Sequence, residues 1–155
     1  MKMHSYIVEL EWTGNAGRGT RTLSSYGREH RISSRGKPPI DGSSDPSFRG
    51  DPKRWNPEEL LVASLAACHK LWYLGLCAQA GVIVESYTDR PEGVMIEEAS
   101  GAGQFESVTL RPHVIISQGS SADLARALHE NAHEMCFIAR SVNFPVRAAP
   151  TIATV

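Results

Sequence analysis

The start of this chain, "MKMHSYIVELEW", lacks the apolar run of a secretion signal and alternates instead like a strand. Its cysteines are three, an odd number that does not close a disulfide framework. Together these absences point to a reducing, cytoplasmic compartment. Neither sign of charge dominates: 16 basic against 17 acidic residues leave a net charge of -1. That balance offers no electrostatic footprint for nucleic acid or an anionic membrane surface. There is no internal repeat and no low-complexity tract, and the 155 residues suit a single domain over 1–155.

What is present reads as strands, a long helix, more strands, a second helix and a last strand. Residues 5–12, "SYIVELEW", alternate at period two, and "TRTLSSYG" and "REHRIS" resume strand-like runs after the turn "TGNAGRG". Ser33 to Trp55 is dense in Gly, Pro, Ser and Asp and shows no period, which predicts a long loop of functional interest. Three further strands are expected in "VIVESYTDR", "VMIEEAS" and "SVTLRPHVIIS", and Ser121 caps a helix over "ADLARALHENAHEMC". A final strand falls in "RAAPTIATV". The order predicts an α+β fold with a largely antiparallel sheet.

The long helix, within "NPEELLVASLAACHKLWYLGLCAQAG", is apolar nearly all the way round. Asn56 suits the N-cap, Pro57 the first helical position, and Glu58 and Glu59 the positive end of the helix dipole. Gly81 ends it. The stretch approaches membrane-spanning length, but His69 and Lys70 at its centre argue against a membrane. An all-apolar helix in a soluble chain must be covered on every face, here by a wrapping sheet or a second subunit. Glu58 and Cys68, ten residues apart, stand roughly 15 Å apart along the axis and cannot touch within one helix. Two such helices packed antiparallel in a dimer would let Glu58 of one chain approach Cys68 of the other.

Cys68 lies in that helix beside two basic residues, and Cys136 lies at the end of the second helix. A thiolate is stabilised by nearby cations, which makes this pair a candidate for thiol chemistry; buried cysteines otherwise behave as small hydrophobes. Cys77, about 900 degrees of helix beyond Cys68, faces the other way and is read as packing. His129, His133 and Cys136 share one stripe of the second helix, so a zinc-like site completed by Cys68 or His69 is an alternative. No CxxC pair or HExxH motif supports it, and no metal is expected.

The run "NPEELLVASLAAC", followed by "AGV" and later by "AHEMCFIARSVNFPV", resembles the OsmC/Ohr family of thiol-dependent peroxide reductases over most of the chain. The resemblance implies an intertwined homodimer, in which antiparallel β-sheets from both chains enclose two long central helices. It implies a peroxidatic role for Cys68, a resolving role for Cys136, and a Glu58 carboxylate paired with an arginine at the thiolate. Arg49, in the long loop, is the favoured arginine, with Arg18 and Arg28 as alternatives; Arg54 reads as surface. It further implies a peroxide substrate, either an organic hydroperoxide or hydrogen peroxide, no bound cofactor, and an external dithiol reductant, of lipoyl type in some relatives.

Two departures mark an OsmC-like subgroup: His69 follows Cys68 where an apolar aromatic is commoner, and Phe137 follows Cys136 where the Ohr branch has proline. Leu71, Trp72, Phe137 and Phe144 are candidate apolar walls for an organic peroxide. A metal-binding or redox-sensing module, and a family-fold dimer without turnover, are the competing functional readings.

Overall fold

The computed structural model describes residues 1–155. The chain divides into two compact units, Met1–Leu60 and Leu61–Val155. The first carries an antiparallel sheet of three strands, β1 (Glu9–Trp12), β2 (His30–Ser33) and β3 (Ile40–Gly42), in that order. β1 covers only the second half of the expected 5–12 alternation. The strand expected in "TRTLSSYG" is a series of turns, because Ser25 satisfies its backbone locally: its Oγ donates to the Thr22 carbonyl at 2.9 Å and accepts from the Thr22 N–H at 3.1 Å. Such local bonds compete with a ladder.

The Ser33 to Trp55 stretch is more ordered than its composition predicts. It holds β3 and a 3-10 helix, Pro46–Phe48, whose Asp45 cap accepts from the Ser47 N–H at 2.7 Å. Arg49 closes that turn with φ 67°, making it the single non-glycine residue in the left-handed region. Fully buried Ser43 ties the segment together: its N–H donates to the Trp55 carbonyl at 2.9 Å and its Oγ accepts from the Asp51 N–H at 3.1 Å.

α1 (Pro57–Gln79) begins and ends where expected. Asn56 Oδ1 accepts from the Glu59 N–H at 2.8 Å while the Glu59 carboxylate accepts from the Asn56 N–H at 3.2 Å, a reciprocal capping box. At the other end Gly81, at φ 74°, lets the Val82 N–H return to the Cys77 carbonyl at 2.9 Å. The buried stripe is Leu65, His69, Tyr73 and Cys77, one residue per turn. On another face Ala63, Ala67, Leu71 and Gly75 stay exposed at the same spacing. By length and composition alone α1 is long and apolar enough to cross a membrane.

The second unit continues with β4 (Val84–Asp89), β5 (Glu92–Glu97), β6 (Gly103–Leu110), β7 (Pro112–Ile116), α2 (Ala122–Met135), β8 (Val146–Ala148) and β9 (Thr151–Thr154). Two sheets result, ordered β4-β7-β9 and β5-β6-β8. Two strands of the sequence reading are each broken in two. The first breaks between Leu110 and Pro112, the second between Ala148 and Thr151, and each pair of halves joins different sheets. Pro112 and Pro150 sit at these corners and lack the N–H that would continue a ladder.

The α+β class is as expected, but the sheets are mixed: β6 pairs with β8, and β7 with β9, in parallel. Parallel pairing requires a crossover connection, which α2 supplies between β7 and β9. One core cluster joins Tyr73, Cys77, Val82, Val114, Ile116, Ala125, Leu128 and Ala132; a second joins Leu65, Val108, Leu110 and Val146.

Candidate active site

Cys68 and Cys136 are brought together. Cys68 is half-buried on α1; Cys136 sits at the C-cap of α2, 1% exposed, with its thiol close enough to that of Cys68 for the two to influence each other. No disulfide links them in this structure. Burial pushes the Cys136 thiol up to about 11, and the neighbouring Cys68 adds to the rise. The Ala139 N–H, 3.4 Å from Cys136 Sγ, and the Ile138 backbone act in the opposite direction. Cys136 is thus a protonated, positioned partner at neutral pH. Cys77, also raised by burial, lies in the core as expected.

The apolar surroundings divide. Trp72 meets Phe137 edge to face, with centroids 5.5 Å apart, and Leu71 and Phe137 are 65% and 66% exposed. Phe144, half-buried, packs on Phe105 at 5.4 Å against the second core cluster, as half-buried Trp72 packs against the first.

Arg49 and Glu58 belong to the first unit. Arg49 is exposed, and neither side chain enters an ion pair or a hydrogen bond. Glu59, at the N3 position, performs the reciprocal capping, which leaves the Glu58 carboxylate free. Of the alternative arginines, Arg28 is committed locally, its guanidinium stacked 4.0 Å over the Tyr26 ring and donating to the Leu23 carbonyl at 2.8 Å. Arg18 is exposed. Arg54 pairs with Asp41 at 3.9 Å and Asp51 at 3.8 Å, a surface role as expected.

No group of three or more His, Cys, Asp or Glu side chains is placed to hold a metal ion. His129 is instead engaged by His69, Nε2 to Nδ1 at 2.9 Å, in a buried pair of nearly coplanar rings. Burial is the first cause that lowers both: His69 to about 4, helped by His133, and His129 to about 3, helped by His69 and then Arg126. Tyr73, not singled out by sequence, stacks on His129 at 3.8 Å and donates its hydroxyl to the Ala125 carbonyl at 2.8 Å. The only trace in the sequence is that His69 and Tyr73 share an i, i+4 stripe.

The sequence matches the model of the OsmC-like protein family over residues 50–149. The fold is similar to the structure of an OsmC-like protein of unknown function from Vibrio cholerae, at 31% identity and TM-score 0.85, covering 96% of this chain and 100% of that one. Protein YmaD of Bacillus subtilis (strain 168) is 24% identical over 145 residues, 92% of this chain and 89% of its own. The organic hydroperoxide resistance protein OhrB of Bacillus subtilis shares the fold at TM-score 0.65 and 20% identity, with 94% of this chain and 98% of that chain covered. The paired thiols of α1 and α2 therefore stand in a chain that belongs to the OsmC-like protein family.

Proposed function

We propose that this protein is a cysteine-based peroxidase that reduces organic hydroperoxides. The observation that carries this reading is that α1 and α2 bring the Cys68 and Cys136 thiols near enough to influence each other. The family membership supports it, as does the name of a relative of the same fold, an organic hydroperoxide resistance protein. Cys68 thiolate attacks the distal peroxide oxygen; the O–O bond breaks, an alcohol leaves with a proton, and Cys68 becomes a sulfenic acid. Cys136 sulfur then attacks the Cys68 sulfur. The S–S bond forms, the S–O bond breaks, and the hydroxyl leaves with the Cys136 proton as water.

In this reading Arg49 stabilises the thiolate and the leaving oxygen, and Glu58 orients the guanidinium. Their lack of partners within the chain suits groups that serve a second copy. A homodimer over a single 1–155 domain also accounts for the exposed apolar stripe Ala63, Ala67, Leu71 and Gly75 of α1. An external dithiol, of lipoyl type or otherwise, reopens the disulfide, and the cytoplasm supplies the reducing setting.

The test mixes reduced protein with cumene hydroperoxide, counts thiols and maps the bridge, then repeats with Cys68→Ser and Cys136→Ser. Loss of two thiols per chain as a Cys68–Cys136 disulfide is expected. Unchanged thiols would sink the reading.

A further inference from the structure

His69 and His129, 60 residues apart in sequence, form a buried imidazole–imidazole hydrogen bond of 2.9 Å with ring planes 5° apart. Each is tied to one thiol through its own helix. His69 follows Cys68 in α1, and His129 precedes Cys136 by seven residues, about two turns along one stripe of α2. Tyr73 braces the pair, stacked on His129 at 3.8 Å and anchored to the Ala125 carbonyl at 2.8 Å. Nearer the thiols the side-chain contact is aromatic, Trp72 against Phe137.

Apolar packing tolerates small rotations of a helix, whereas a hydrogen bond between two planar rings weakens steeply when misaligned. Cys136 lies just beyond the last turn of α2, so rotation of that helix would swing its Sγ away from Cys68. The pair is also costly to keep, since His129 Nε2 is buried with no partner. Two apolar side chains would fill the space without that cost.

We propose that the His69–His129 hydrogen bond is a strut that fixes α2 in rotation against α1 and so holds Cys136 at Cys68. Both histidines are positioning residues for disulfide closure. The proposal rests on the thiol reading above for its role in turnover, with the peroxide as oxidant and water as the leaving product.

The experiment measures the effective concentration of the Cys68–Cys136 disulfide against glutathione, together with the rate of closure after one equivalent of cumene hydroperoxide. His69→Leu/His129→Leu removes both partners and leaves no orphaned nitrogen. It is expected to lower the effective concentration at least tenfold, slow closure to the same degree, and leave sulfenic acid formation within twofold. Leu128→Ala loosens the same core without touching the bond and is expected to stay within threefold. His69→Gln/His129→Asn, whose amides stand near the Nε2 and Nδ1 positions, is expected to restore closure to within threefold. The strut is overturned if the leucine pair falls no further than Leu128→Ala, or if the folded amide pair does not restore closure. Should the leucine pair not fold, His129→Gln displaces the bond alone, and a fall of less than threefold overturns the proposal. The glutathione equilibrium needs no peroxide, so a wild-type protein inert to peroxide would count against the peroxidase reading alone.

Discussion

Asn56 and Glu59 cap α1 reciprocally, the asparagine side chain accepting at 2.8 Å from the glutamate N–H and the glutamate side chain accepting at 3.2 Å in return. Adjacent Glu58 is left without a partner, which predicts separable duties for the two neighbouring carboxylates. Glu59→Ala should cost about 1 kcal/mol of stability with little change in peroxide turnover. Glu58→Ala should do the reverse. Urea melts and kcat/KM for cumene hydroperoxide measure the two effects, and a parallel loss of both in either variant would contradict the division.

Arg49 holds a left-handed backbone, φ 67°, that glycine adopts freely. Keeping an arginine there costs on the order of 1 kcal/mol, a penalty consistent with a functional side chain. Arg49→Gly is expected to keep or raise the melting temperature while lowering kcat/KM at least about tenfold, if the proposed charge-assisted contacts to the reacting oxygen are lost. Wild-type turnover in Arg49→Gly would shift the role to Arg18.

Acid should destabilise the fold through the histidine pair. Burial depresses His69 to about 4 and His129 to about 3, so between roughly pH 6.5 and pH 4 the unfolded chain binds protons that the native chain excludes. Stability therefore rises with pH across that window and falls as the pH drops through it, at up to about 1.4 kcal/mol per pH unit for each histidine. Urea titrations from pH 7.5 to 4 read this slope. His69→Leu/His129→Leu should flatten it, and an unchanged slope would assign the acid lability elsewhere.

Thiol labelling should follow exposure. Cys68 is half-buried, whereas Cys77 and Cys136 are each 1% exposed and raised by burial. Iodoacetamide at pH 8 is expected to modify Cys68 well before the other two, as read by peptide mapping. Equal labelling of Cys136 would mean that the α2 terminus opens freely in solution.

Gly93 leaves no room for a side chain: a Cβ there would lie 2.6 Å from Phe105 and 2.7 Å from Val62. Gly93→Ala should cost about 1–3 kcal/mol through overpacking, measured as a lower urea midpoint at unchanged m. A neutral result would show that the β5 and α1 contact gives way easily.

Much of this protein is local and therefore legible from sequence. Asn56 and Pro57 start α1, Gly81 stops it, and Ser121 caps α2, because caps are satisfied within a few residues. The motif around Cys68 and Cys136 likewise carried the family. What tertiary structure decided lies where partners are distant. The "SVTLRPHVIIS" and "RAAPTIATV" runs read as single strands, yet each turns a corner at a proline and joins two sheets whose other strands come from elsewhere in the chain. β3 forms inside a stretch without period because β2 supplies its antiparallel ladder, Ile40 opposite Ile32, while the Trp55 N–H reaches the Asp41 carbonyl at 3.3 Å. From sequence, His69 either tunes Cys68 or points away from it, since successive residues on a helix point about 100 degrees apart. Its side chain turns to His129, and only the packing of α2 supplies that partner.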